Sequence, residues 1–207
     1  MNGALLQDKI SRGMGTAARR IGAAYTVYRP SGCGDPLAAS HQVIRLQAAF
    51  SPGDAGFSAN AGYGGLLWAG VFDSAYTIAG DYLVGTNSTF FIAAQRPLLS
   101  VQCVLTNAVL TISRPVRPVQ GGYSGMVREA AQVIICGWPG RVQAERAIVH
   151  GAPPESRFGN WLGLLPVLPQ TPQVADIVSD NMGRTFSVAA TELSDLGWRV
   201  LMRHIAG

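Results

Sequence analysis

Charge is scarce in this sequence: Asp, Glu, Lys and Arg make up 14% of its 207 residues, where roughly a quarter is usual for a soluble domain. Lysine is nearly missing, since Lys9 is the one lysine among 16 basic residues and the rest are arginine. With 48% hydrophobic residues the chain can bury a core, which excludes a disordered, highly charged regulator. Cys33, Cys103 and Cys136 form no CxxC pair and leave an odd thiol, so they are read as reduced residues and not as a disulfide scaffold. His41, His150 and His204 stand too far apart in sequence to supply metal-ligand spacing, and the metalloprotease, P-loop and EF-hand patterns are missing as well. The expectation is no metal and no cofactor. No run approaches the roughly 18 apolar residues of a membrane span, and the N-terminus lacks the apolar segment of a secretory leader. The chain is therefore expected to have no membrane span and to start in the cytoplasm.

What is abundant is Gly, at 25, with 12 Pro spread along the length. Frequent turns, β-branched runs and little charged helix predict a mainly β fold. The net charge of +4 rests on arginine, whose planar fork suits interfaces and phosphate contacts, although Arg-rich codon usage accounts for the same bias.

At the N-terminus, Leu6, Ile10, Met14, Ala17, Ala18 and Ile21 recur at the three- and four-residue spacing of one helical face. An amphipathic helix over 4–23 is expected. Lys9, Arg12, Arg19 and Arg20 lie mostly off the apolar stripe and are the candidate interface or DNA-facing residues, read against a plain solvated face. Gly13 and Gly15 each cost a helix about 1 kcal/mol relative to Ala, so the helix needs a partner surface.

Two segments about 95 residues apart resemble each other. Asp81-Tyr82-Leu83-Val84, a turn at 85–88 and Thr89-Phe90-Phe91-Ile92-Ala93-Ala94 match Asp176-Ile177-Val178, a turn at 179–184 and Thr185-Phe186-Ser187-Val188-Ala189-Ala190. Each is expected to be a β-hairpin, with Asn, Asp and Gly supplying the turn conformations. Further strands are expected at 43–50, 99–105, 109–112, 130–138, 161–165 and 197–205, the first with Val43, Leu46 and Ala48 opposed to Arg45 and Gln47, the fourth ended by Pro139-Gly140. In the last, Trp198, Val200 and Met202 alternate with Arg199, Leu201 and Arg203. The Pro- and Gly-rich stretch 115–127 reads as a linker. The resulting division is an N-terminal helix or arm at 1–26, a first β unit at 27–114, the linker at 115–127 and a second β unit at 128–207. The fold class is two small β-barrel or sandwich-like units with hairpin repeats, preceded by an N-terminal α-helix.

Signals of chemistry are few. Tyr63-Gly64-Gly65-Leu66 lacks the GxGxxG spacing, and Ser124 in Gly122-Tyr123-Ser124-Gly125 is one Gly short of a nucleophile elbow. Asp81 and Asp176 invite pairing as acid and base, but a repeated Asp at a strand entrance is better read as accepting hydrogen bonds from turn amides. No catalytic residue is assigned. Trp68, Trp138, Trp161 and Trp198 offer a stacking platform for sugars in a carbohydrate-binding module, or ordinary core packing.

The run from Asp176-Ile177-Val178 through Thr185-Phe186-Ser187-Val188 to Leu196-Gly197-Trp198-Arg199-Val200 resembles the closing hairpin of small β-barrel virion proteins of tailed bacteriophages, including head-completion, stopper and tail-adaptor proteins. The opening helix 5–13, with 76–95 and 99–115, is similar to structural proteins of short-tailed phages and prophages. The resemblance implies a non-enzymatic virion part, docked in the neck or tail, in a homo-oligomeric ring against portal, adaptor or tail proteins, with weak non-specific contact to packaged DNA. A capsid decoration or fibre-anchoring role is the alternative. Location in the virion, after assembly in the bacterial cytoplasm, follows from the same resemblance.

Overall fold

Apolar residues alternating with polar ones, interrupted by Gly, Asn and Asp turns, favour short antiparallel strands that must close or pair to hide their edges. In the computed structural model, which describes residues 3–52, 66–115, 131–144 and 160–205, twelve strands among the described residues close into two six-stranded barrels. The fold is mainly β, with one helix, α1 (Gly3–Ile21), at the N-terminus.

The first barrel comprises β1 (Ala23–Tyr28), β2 (Gln42–Pro52), β3 (Leu67–Val71), β4 (Tyr82–Val84), β5 (Thr89–Ala94) and β6 (Val101–Leu105), in the spatial order β1-β2-β3-β6-β5-β4. The second comprises β7 (Ala108–Arg114), β8 (Gln132–Ala144), β9 (Asn160–Leu165), β10 (Ile177–Asp180), β11 (Thr185–Ser194) and β12 (Gly197–His204), in the order β7-β8-β9-β12-β11-β10. The two orders are the same when the second barrel is counted from β7. The hairpin resemblance in sequence is thus one part of a duplication of the whole barrel.

Both expected hairpins form, with Tyr82 opposite Phe91 in one and Ile177 opposite Ser187 in the other. Even the irregular backbone bonds repeat: Gly80 N–H donates to the Ile92 carbonyl at 2.8 Å, and Ala175 N–H to the Val188 carbonyl at 2.9 Å. On β12, Trp198, Val200 and Met202 are buried and Arg199 and Arg203 point outward, as the alternation requires.

The unit boundaries differ from the expectation. β7 pairs with β8 and β10, so it opens the second barrel instead of closing the first. The division falls at Thr106-Asn107, where a tight connection leads from β6 to β7, and the Pro-rich stretch expected as a linker comes in sequence between β7 and β8, both strands of the second barrel. Residues 116–127, with Ser124, are outside the described residues, as is His150. Within the expected arm at 1–26, β1 begins at Ala23, because the β-branched and aromatic run after Gly22 suits a strand. β8 does not stop at Pro139-Gly140. A bulge at Gly137, whose φ is +75°, turns the strand, and Pro139 and Gly140 continue opposite Val109 and Ala108. On β2, Val43 is exposed alongside Arg45 and Gln47, while Ile44, Leu46 and Ala48 form the inward set.

The core explains why the barrels sit together. β5 is buried on both faces: Phe90 and Ile92 join Tyr25, Phe72 and Leu83 inside the first barrel, whereas Phe91 and Ala93 join Trp138, Leu110 and Ile135 in a cluster continuous with the second. Phe90 stacks on Phe50 with centroids 3.8 Å apart. Polar ties cross the same boundary. The Tyr82 hydroxyl donates to the Pro139 carbonyl at 2.8 Å, the Trp138 indole N–H to the Gly34 carbonyl at 2.9 Å, and Arg96 pairs with Asp195. A net hydrogen bond contributes about 1 kcal/mol, but orphaning either buried partner costs more, so these bonds fix the mutual register of the barrels.

Candidate functional site

Helix α1 lies against the side of the first barrel and buries little of itself. Ser11 and Ala18 are its buried residues, and the Ser11 hydroxyl meets the Ser74 hydroxyl at 2.9 Å. Gln7 accepts the Leu98 N–H through its side-chain oxygen at 2.6 Å, which ties the N-terminal half to the loop before β6. Gly15 is there for proximity: a Cβ at that position would stand 2.9 Å from the Cβ of Asp73, closer than packed atoms come. The glycine that weakens the helix in isolation is what lets it dock.

Between α1 and β2 this docking leaves an open cleft of about 730 Å³. Its walls carry Arg12, Thr16 and Arg19 from the helix, Arg45 and Gln47 from β2, and Asp73 and Tyr76 from the turn after β3. Two of the four basic residues singled out in the sequence, Arg12 and Arg19, are therefore brought together. Lys9 and Arg20 are exposed on α1 but do not line the cleft. Arg45 was missed as a site residue; its one sequence signal is its place on the polar side of the alternating β2 pattern.

The electrostatics of the cleft are those of loosely held cations. Arg12 pairs with Asp8 one helical turn away at 2.9 Å, a pair exposed enough to contribute at most about 1 kcal/mol. Arg19 donates to the Thr16 hydroxyl at 3.1 Å, and the Arg45 side chain has no hydrogen-bond partner among the described residues. Asp73 is the acidic member, and one of its oxygens accepts the Ala75 N–H at 3.2 Å. Three arginines set against Asp73 in the cleft and Asp8 beside it leave a net positive surface, suited to carboxylates or phosphates without enclosing them.

The repeated aspartates are built differently from an acid–base pair. Arg29 donates to both oxygens of Asp81 at 2.9 and 2.8 Å, and the Ile78 N–H adds a bond at 2.9 Å. Arg114 donates to both oxygens of Asp176 at 2.8 and 3.0 Å, and the Gln173 N–H adds one at 2.7 Å. The hydrogen bond to the carboxylate raises the pKa of each arginine. Each guanidinium also reaches the carbonyl five residues before its aspartate, Tyr76 in one case and Thr171 in the other. These clasps join the first strand of each barrel to the entrance of its hairpin. The turn amides were legible from the sequence; the two arginines were not, because they stand 52 and 62 residues from their partners.

None of the four tryptophans is exposed. Trp138 and Trp198 are buried in the shared core, Trp68 packs edge-on against Phe90, and Arg184 covers the Trp161 ring with its guanidinium carbon 4.8 Å from the centroid. Trp138 and Trp198 serve core packing, and Trp68 and Trp161 are partly buried against these ring and guanidinium neighbours. His41 is engaged in its own loop with Ser31 and the Pro36 carbonyl, and His204 sits edge-on to Phe186. Among the described residues no three His, Cys, Asp or Glu side chains gather as metal ligands would, and no helix is long and apolar enough to cross a membrane. Comparison with protein-family models, curated proteins and solved structures finds no match.

Proposed function

We propose that this chain is a non-enzymatic structural subunit of a tailed-phage virion, docked in the neck or tail through the face formed by α1 and β2. The observation that supports this reading is the state of that face. Leu5, Ile21 and Val43 are large apolar side chains at 60%, 71% and 46% exposure, and the arginine-lined cleft lies between the elements that carry them. A mixed apolar and arginine surface on an otherwise low-charge protein is the composition of an interface waiting for a neighbour. The duplicated barrels, locked by a shared core, supply a rigid body to carry it, and the sequence rhythm shared with phage neck and adaptor proteins supplies the setting.

In this role the arginines steer and orient. They attract an acidic patch on an adjoining subunit, and at the channel they touch packaged DNA weakly and non-specifically. The test is the oligomeric state of the full chain by analytical ultracentrifugation, alone and mixed with portal, adaptor and tail proteins of tailed phages. A defined ring or a stoichiometric complex, lost in the Arg12→Glu, Arg45→Glu double variant, supports the reading. Monomers at high concentration that ignore every neighbour contradict it.

A further inference from the structure

The loop after β1 crosses from the first barrel to the second and lies along β8. There the Cys33 carbonyl accepts the Cys136 N–H at 3.0 Å, next to the bond from the Trp138 indole to Gly34. Two of the three cysteines, remote in sequence, thus become backbone neighbours. A 3.0 Å N–H···O bond between the two residues holds their α-carbons within about 7 Å by standard bond lengths, near the roughly 4.4–6.8 Å that disulfides span. Cys136 is exposed and Cys33 half-buried, whereas Cys103 is sealed in the first barrel, where burial pushes its thiol up and keeps it protonated. The sulfurs of the close pair are held only weakly. Gln170 Nε2 donates to Cys33 Sγ at 3.3 Å, and the Thr111 hydroxyl stands 4.0 Å from Cys136 Sγ.

We propose that Cys33 and Cys136 form a dithiol site that reacts with low-molecular-weight disulfides and closes into a bond between the two barrels. The exposed Cys136 loses its proton to solvent, and its thiolate attacks one sulfur of the small disulfide. That forms a mixed disulfide on Cys136 and releases the first small thiolate, which takes up a proton. The Cys33 thiolate then attacks the Cys136 sulfur, forms the internal disulfide and expels the second small thiolate. The protein pair loses two electrons and two protons, and the small disulfide becomes two thiols. In a reducing compartment the pair stays open; on exposure to an oxidising medium it fastens the loop to β8.

The probe is oxidised glutathione with the native full-length chain in oxygen-free buffer, followed by acid quench, alkylation and peptide mass mapping. The expected product is lighter than the reduced chain by two hydrogens, links the peptides of Cys33 and Cys136, and carries its alkyl group on Cys103. The Cys33→Ser variant should stop at a glutathione adduct on Cys136 that persists at least about tenfold longer than in the native chain. The Cys136→Ser variant, altered at an exposed position that the fold tolerates, should give no linked product. A stable adduct on Cys136 in the native chain overturns the proposal, as does an unmodified Cys136, a link through Cys103, or the same yield of the 33–136 link from the urea-unfolded chain.

Discussion

Replacing Arg114 by Ala removes the guanidinium that spans Asp176 while leaving that carboxylate at 2% exposure, with the Gln173 N–H as its remaining partner. Two charge-assisted bonds are lost, and a hydrogen bond to a charged group contributes about 1.5–3 kcal/mol. Breaking a fully buried pair costs about 3–5 kcal/mol, but Arg114 is 29% exposed and water relieves part of the loss, so the expected destabilisation is about 2–3 kcal/mol. For a chain of this size that lowers the melting temperature by about 4–12 °C. The matching Arg29→Ala change in the first barrel should cost less, because Arg29 is 41% exposed, and Arg12→Ala on the helix should cost under about 1 kcal/mol. Urea unfolding followed by tryptophan fluorescence, with calorimetry, measures all three. A cost for Arg114→Ala within about 0.5 kcal/mol of zero, or one no larger than that of Arg12→Ala, would refute the view that the clasps hold the barrels shut.

Four further outcomes are expected. Burial pushes the Asp180 carboxyl up, but the Arg184 backbone N–H, the Arg184 guanidinium and the Met182 N–H outweigh it and hold it below its ordinary value. A depressed carboxylate adds stability that is complete above its unfolded-state pKa and is lost as pH falls through the folded one, so stability should drop below about pH 4; Asp180→Asn should flatten that part of a pH series of urea melts. Gly13→Ala, with open space at its Cβ, should stabilise by about 0.5–1 kcal/mol, whereas Gly15→Ala, against Asp73, should destabilise, and thermal melts of the two variants read opposite signs. Tyr82→Phe should cost about 1–2 kcal/mol, because the buried Pro139 carbonyl loses its donor. If the cleft meets DNA, its affinity in a salt titration should fall with a logarithmic slope of about −2 to −3 for three arginine contacts, and Arg45→Ala should reduce that slope by about 1.

The hairpins were legible because their signal is local: alternation at period two and turn residues between matching halves. The duplication of the entire barrel was not, since β1 and β7 share little beyond the Arg29 that follows one and the Arg114 that ends the other, and barrel closure is a relation between strands far apart in sequence. The same reason hid the domain boundary. Pro and Gly mark any turn-rich stretch, and 115–127 falls in sequence between two strands of one barrel, while the true passage at Thr106-Asn107 is too short to carry a compositional mark. Of the site, the helical stripe exposed Arg12 and Arg19, but Arg45 becomes a partner only when β2 is laid beside α1. The tryptophans were ambiguous in sequence because an indole serves a core and a binding face equally well; Trp138 and Trp198 are core residues, while Trp68 and Trp161 are half-buried.

Docking of the α1–β2 face on a neighbouring virion subunit is the role proposed for this chain. Imaging of intact particles at a resolution that places this chain tests it most directly, with copy number checked by native mass spectrometry. The account predicts several copies arranged about the portal–tail axis, with Arg12, Arg19 and Arg45 of each facing another subunit or the DNA. A chain found in no particle, or one whose α1–β2 face is turned to open solvent, would contradict it.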